Sequence, residues 1–262
     1  MTNPWIIYPK PKPQASLRLF CFPYAGAGAS IFRTWHSFMT SEIEVCSLQL
    51  PGRESRIKEP LFTDLVPLIP ALTSALIPHL DRPFIFFGHS VGALFSFEVA
   101  RRLRHLQKPQ PSHLFVSGRN APQFPVLTPI HQLPDDAFLA ELHRYNGTSA
   151  NVLQHAELMQ LFLPILRADL AINENYVYAD DTPLNCPISV FGGQDDAIAP
   201  PDSVAAWRDH TSSNFSVRIF PGEHFFLKTQ IEAISKAIFE DLQQNQQLKQ
   251  LQKKSSKYRL DF

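Results

Sequence analysis

The chain has 262 residues, 44% of them hydrophobic, enough for the core of a single α/β domain carrying an insertion. Its 24 basic and 24 acidic residues balance, which argues against the basic stripe that a nucleic-acid binder needs. Cys21, Cys46 and Cys186 lack metal or redox spacing, and no stretch reaches the roughly 18 consecutive apolar residues of a membrane span.

The opening "MTNPWIIYPKPKPQ" has no basic head leading into a long apolar run. It reads as an extended, proline-stiffened lead-in. An odd cysteine count without CxxC favours a reducing compartment, hence the cytoplasm. Short apolar runs then recur at 17–22, 44–50, 83–87, 113–117, 187–191 and 215–220. Runs apolar on both faces suit buried parallel strands. Helical patterns lie around 31–39, 64–80, 91–107, 202–210 and 229–245. This alternation predicts a mostly parallel, doubly wound α/β sheet.

One interval breaks the rhythm. About seventy residues separate the fourth run from the fifth without a good strand. Within them "PDDAFLAELHRY" begins with a cap-like Pro-Asp-Asp. Leu158, Leu161, Phe162, Ile165 and Leu166 then recur with helical spacing, and Pro164 is placed to kink that helix. Residues 121–183 form a candidate helical lid, or a helical layer that only thickens the core; 1–120 and 184–262 form the core. The polar, Gln/Lys-rich end after about 245 is expected to finish a surface helix and fray.

The chemistry centres on Gly88-His89-Ser90-Val91-Gly92, which follows an apolar run and opens a helical pattern. That is the strand–turn–helix setting of a nucleophile elbow. A serine on so tight a turn needs small neighbours, and Gly88 and Gly92 supply them. A nucleophilic serine needs a base, and the base an orienting acid, in the chain order Ser, Asp, His. His224, in "FPGEHFFL" after the last strand, is the candidate base. Asp195 and Asp196 follow the strand at 187–191; Asp196 stands four residues before Pro200, as the acid does in many α/β hydrolases, and Asp195 is its rival. His89 reads as packed inside the elbow. Two backbone amides must hold the oxyanion: Val91, after the serine, and Ala25, in the Gly/Ala-rich "FPYAGAGAS" with Tyr24 beside it. That loop lacks the G-K-[ST] ending of a phosphate cradle.

Taken together, "LFCFPYAGAGAS", "LQLPGRESR", "FFGHSVGAL", "LFVSGRNAP", "LPDDAFLAEL", "LFLPILRADL", "CPISVFGGQDD" and "GEHFFL" resemble the type II thioesterases. These are the stand-alone editing enzymes of non-ribosomal peptide and polyketide synthesis, related to the medium-chain acyl-carrier-protein thioesterases. The resemblance covers residues 17 to about 230. It implies an α/β-hydrolase fold with a helical lid, and hydrolysis of acyl groups from the phosphopantetheine arm of acyl or peptidyl carrier proteins. It places Ser90 as nucleophile, Asp196 as acid, His224 as base, and Ala25 and Val91 as oxyanion amides. Tyr24 stands where the family often has His, and Arg53 and Glu54 of "PGRE" are a family hallmark that reads as a structural salt bridge or loop anchor, with no chemical role derivable from sequence. The implied chemistry requires no metal or organic cofactor; the expected partner is a carrier protein, not nucleic acid or membrane, and nothing demands more than a monomer. Phe124 and Phe138, near the start of the lid, are candidate walls of an acyl tunnel. Arg101, Arg102, Arg104 and Lys108 are either a carrier-docking patch or cations complementing a helix C-terminus. Two rival functions keep the same residues: a small-molecule carboxylesterase or lipase, and a non-catalytic hydrolase-fold binding module.

Overall fold

A computed structural model describes residues 3–144 and 156–258 of the chain. Seven strands form one sheet: β1 (Ile6–Ile7), β2 (Leu17–Phe22), β3 (Ile43–Leu48), β4 (Phe84–His89), β5 (Leu114–Ser117), β6 (Ile188–Gly193) and β7 (Phe215–Phe220). Their order is β1-β3-β2-β4-β5-β6-β7. All neighbours are parallel except β1, which pairs antiparallel with β3. The helices are α1 (Leu65–Leu76), α2 (Val91–His105), α3 (Asp135–Arg144), α4 (Ala156–Glu174), α5 (Pro201–Val204) and α6 (Ile231–Tyr258).

Side chains alternate across a strand, and here both faces are covered. Phe20, Phe22, Phe84, Phe86, Leu114, Val116, Ile188 and Val190 feed one core, with α1 and α2. Leu19, Cys21, Ile85, Phe87, Phe115 and Phe191 feed the other, with Phe32, Trp35 and the start of α6. Each core draws every second residue, so the runs are continuously apolar. All three cysteines are buried. β7 lies at the sheet edge, and its Val217 and Ile219 stay partly exposed.

The helical pattern at 31–39 is resolved differently. Ala29–Phe32 and Trp35–Ser37 are short 3-10 turns. Ser37 Oγ donates to the Thr34 carbonyl (2.6 Å), and a ring nitrogen of His36 bonds the Arg33 carbonyl (2.8 Å), so side chains compete for backbone acceptors. Phe32 and Trp35, three apart, still reach the core. The 64–80 pattern gives α1, capped by Asp64 Oδ1 on the Val66 N–H, and ends in a 3-10 turn carrying Pro78. At 202–210 the four-residue α5 passes into a 3-10 helix over Ala205–His210. The two-residue β1 inside the lead-in has no counterpart in the apolar pattern.

Between β5 and β6 the chain builds α3 and α4 with a small core of their own: Ile130, Phe138, Leu142 and Leu166. α4 runs through Pro164. Its expected apolar face is only half correct. Ile165 and Leu166 are buried, whereas Leu161 and Phe162 are exposed. The Leu158 side chain, Tyr145 and residues 259–262 lie outside the described residues. No helix among those described is long and apolar enough to cross a membrane.

Candidate active site

The carboxyl ends of the parallel strands gather the candidate residues at one edge. β4 ends at His89, and Ser90 follows with φ 55° and ψ −121°, a conformation that L-residues other than glycine rarely hold. The Ser90 N–H donates to the Ser117 carbonyl of β5 (2.8 Å), which fixes the turn. The glycines have the steric role their spacing predicts. A Cβ on Gly88 would stand 2.2 Å from the Gly92 carbonyl oxygen, and one on Gly92 would stand 2.2 Å from that of Phe22. With any side chain at either position, β2, β4 and α2 could not approach as they do.

Asp196 and His224 arrive from the loops after β6 and β7. His224 Nδ1 meets Asp196 Oδ2 at 2.9 Å, with both residues buried. Asp196 Oδ1 accepts the N–H groups of Ile198 (2.8 Å) and Ala199 (3.0 Å). Burial alone would raise the Asp196 pKa. The hydrogen bond and charge of His224, with the two backbone donors, outweigh burial and hold it below the usual carboxylate value. Asp195 is exposed, and its backbone N–H bonds the Gly222 carbonyl (3.0 Å). Burial thus separates two adjacent aspartates that sequence left as rivals.

His89 is fully buried, its ring against those of His224, Tyr24, Phe225 and Phe226. A ring nitrogen bonds Ser117 Oγ at 2.9 Å. Burial first, and then the nearby His224 charge, push its pKa far below the usual histidine value, so it stays neutral as packing. The Tyr24 hydroxyl is pushed up to about 12 by burial.

Ser90 and His224 open onto one cavity of about 570 Å³. Tyr24 and Ala25 form one wall; Phe124, Val126 and Leu127 form another; Leu142 of α3 and Leu166 and Leu170 of α4 line it as well. Phe124 is therefore a cavity wall, as expected. Phe138 is not: it sits in the small core shared by α3 and α4, with the Arg167 guanidinium 4.2 Å over its ring. Arg119, Asn120 and Asn173 add a polar arc, and Arg119 donates to Asn173 Oδ1. Ala25 lies on the cavity wall. Val91 is the first residue of α2, so its N–H has no intrahelical acceptor.

"PGRE" acquires a structural meaning. Arg53 and Asp169 of α4 form a buried ion pair, with Nη1 to Oδ2 at 2.5 Å and Nη2 to Oδ1 at 2.9 Å. Glu54 Oε1 accepts the Ser30 hydroxyl at 2.5 Å. Sequence reasoning missed Asp169; its one signal was an acid within the helical "LRADL". Two residues of the basic run, Arg101 and Arg104, are committed to structural contacts. Arg101, Arg104 and His105 all contact the Asp181 carboxylate, and Arg101 and Arg104 also bond backbone carbonyls at 179, 182 and 183. These contacts anchor the segment leading into β6. Among the described residues no group of three or more His, Cys, Asp or Glu side chains is arranged to hold a metal ion.

The sheet order, with a strained serine where β4 turns into α2, defines the α/β-hydrolase class. Solved structures similar to this chain include thioesterases; RedJ, a thioesterase of the prodiginine pathway in Streptomyces coelicolor, superposes with a TM-score of 0.82 at 38% identity, over 86% of this chain and 92% of its own. Within that class the chain belongs to the thioesterase family, whose domain matches residues 17–242. The gramicidin S biosynthesis protein GrsT of Aneurinibacillus migulanus is 48% identical over 226 residues, 86% of this chain and 88% of its own. The human medium-chain S-acyl fatty acid synthase thioesterase is 35% identical over 229 residues, 82% of each chain. The chain is a thioester hydrolase by this kinship.

Proposed function

We propose that the chain hydrolyses acyl groups from the phosphopantetheine arm of acyl or peptidyl carrier proteins, with Ser90 as nucleophile, His224 as base and Asp196 as its orienting acid. The observation that carries this reading is the buried 2.9 Å contact of Asp196 with His224 Nδ1, beside a cavity that Ser90 and His224 both line. With Nδ1 engaged as donor, Nε2 is left as the basic nitrogen toward the cavity.

Ser90 attacks the thioester carbonyl as His224 takes its proton. The tetrahedral oxyanion rests on the Ala25 and Val91 amides, where one donor is worth on the order of 10²–10³ in rate. Collapse expels the pantetheine thiol and leaves an acyl-Ser90. His224 then activates water to release the acid. Side chains and backbone supply every step; the phosphopantetheine belongs to the substrate. The apolar wall of Phe124, Leu142, Leu166 and Leu170 takes the acyl chain, and the polar arc leaves room for heteroatoms on it. Kinship to GrsT and RedJ supports carrier-bound acyl groups of peptide and polyketide assembly as the substrate class.

The test compares an acyl-loaded carrier protein with a p-nitrophenyl ester of the same acyl chain. A higher kcat/KM on the carrier, abolished by Ser90→Ala, is expected. Equal or faster turnover of the simple ester would overturn the carrier assignment and favour a carboxylesterase.

A further inference from the structure

We infer that the buried Arg53–Asp169 pair positions the oxyanion amide of Ala25 and ties it to the lid helix α4, an inference that rests on the role proposed above for Ala25. The loop leaving β2 is held at successive backbone groups. The Gly26 N–H, one peptide beyond Ala25, donates to Asp169 Oδ2 at 2.7 Å. The Ala27 carbonyl accepts from Arg53 Nη1 at 3.3 Å. The Ala29 N–H donates to Gln49 Oε1 at 2.9 Å, while Gln49 Nε2 donates to the Arg53 carbonyl at 3.0 Å. Asp169 thus accepts from the loop with an oxygen that also takes the Arg53 guanidinium. One buried pair sets the peptide plane adjoining the oxyanion donor.

α4 lies directly on this loop. Gly26 has φ 78°, and a Cβ there would stand 2.5 Å from Leu166 Cδ2. Leu166, Asp169 and Leu170 fall on one side of α4 at helical spacing, and the two leucines line the acyl cavity. The helix that walls the acyl chain therefore also sets the amide that meets its carbonyl. Packing alone does not explain the pair. Its side chains are 4% and 2% exposed, and apolar residues of similar volume would serve stability as well or better. What an apolar pair could not do is accept the Gly26 N–H and donate to the Ala27 carbonyl; within the pair, Arg53 cancels the Asp169 charge that would otherwise oppose a developing oxyanion. Arg53 and Asp169 are positioning residues; neither touches substrate.

The experiment uses two ligands with the same acyl chain. A trifluoromethyl ketone adds Ser90 and leaves an oxyanion in the hole; an unreactive thioether fills the cavity without one. The wild type is expected to prefer the ketone by about a hundredfold or more. Asp169→Asn should reduce that preference by about tenfold or more, since a displaced donor forfeits part of its 10²–10³. Thioether affinity should stay within about threefold, and kcat should fall with little change in KM. If Asp169→Asn fails to fold by near-UV circular dichroism, Arg53→Lys carries the same comparison, because lysine lacks the two-pronged donor. An unchanged preference in a folded variant would overturn the inference, and so would an equal loss for both ligands. A wild type with no preference for the ketone would overturn the oxyanion reading itself, and the two failures are thereby distinguished.

Discussion

Replacing Asp196 by Asn changes one atom's chemistry, and the surrounding hydrogen bonds dictate the outcome. Oδ1 is already claimed by the Ile198 and Ala199 N–H groups at 2.8 and 3.0 Å, so the amide oxygen of the introduced asparagine must occupy that site. Its NH2 then faces His224 Nδ1, where the carboxylate oxygen stood at 2.9 Å. A donor at that position forces Nδ1 to accept and puts the ring proton on Nε2, which can no longer take the Ser90 proton. The variant also loses the charge that stabilises the imidazolium. At about 4 Å and an effective dielectric of 20, that attraction is about 4 kcal/mol, or roughly three decades in rate. The combined expectation is a fall in kcat/KM of about 10³–10⁴, the size a wrong tautomer produces in a serine triad. Asp195→Asn, an exposed position, should stay within about threefold of wild type. Release of thiol from an acyl-N-acetylcysteamine thioester measures both. A loss under tenfold for Asp196→Asn, or a larger loss for Asp195→Asn, would refute the tautomer reasoning.

Gly92→Ala should destabilise the fold by about 3 kcal/mol, at the upper end of overpacking, because the atom met at 2.2 Å is the backbone oxygen of Phe22 and cannot swing aside; urea denaturation reads this, and a loss under about 1 kcal/mol would contradict the elbow sterics. Leu170→Phe, on the cavity wall, should lower kcat/KM for the longest acyl chains by about tenfold or more and spare short ones, as measured on a chain-length series. Acid should destabilise the protein from about pH 6.5 downward. Burial lowers the pKa of His89, and that of His210 to about 4, so the unfolded chain binds protons that the folded one does not, and this stability drains away as pH falls from the unfolded value toward the folded one. His210→Gln should flatten that fall by roughly 2–3 kcal/mol between pH 6.5 and 4, followed by chemical denaturation across pH.

Much of this was legible in the sequence because the signals were local. Each of the six runs becomes a strand; the first five are buried on both faces, which favours near-continuous apolarity, whereas β7, at the sheet edge, leaves Val217 and Ile219 partly exposed. Ser90, Asp196 and His224 each follow a strand, and a parallel sheet brings those loops to one edge. Long-range partnership was not legible. Arg53 and Asp169 are 116 residues apart, and no pattern in "PGRE" names an acid in "LRADL". The two-residue β1 makes its pairing through backbone, which leaves no periodicity to read. Helical spacing at 31–39 misled because Phe32 and Trp35, three apart, satisfy a 3-10 turn as well as an α-helix. The apolar face of α4 misled because Leu161 and Phe162 share the spacing of Ile165 and Leu166 yet stay exposed.

The central claim is that a carrier-bound acyl group passes to Ser90. Rapid-quench mass spectrometry with an acyl-loaded carrier protein tests it most directly. The predicted result is an acyl mass increment on the peptide containing Ser90, appearing before free acid and absent from Ser90→Ala. An increment on another residue, or a Ser90→Ala protein that unloads the carrier at the wild-type rate, would contradict it.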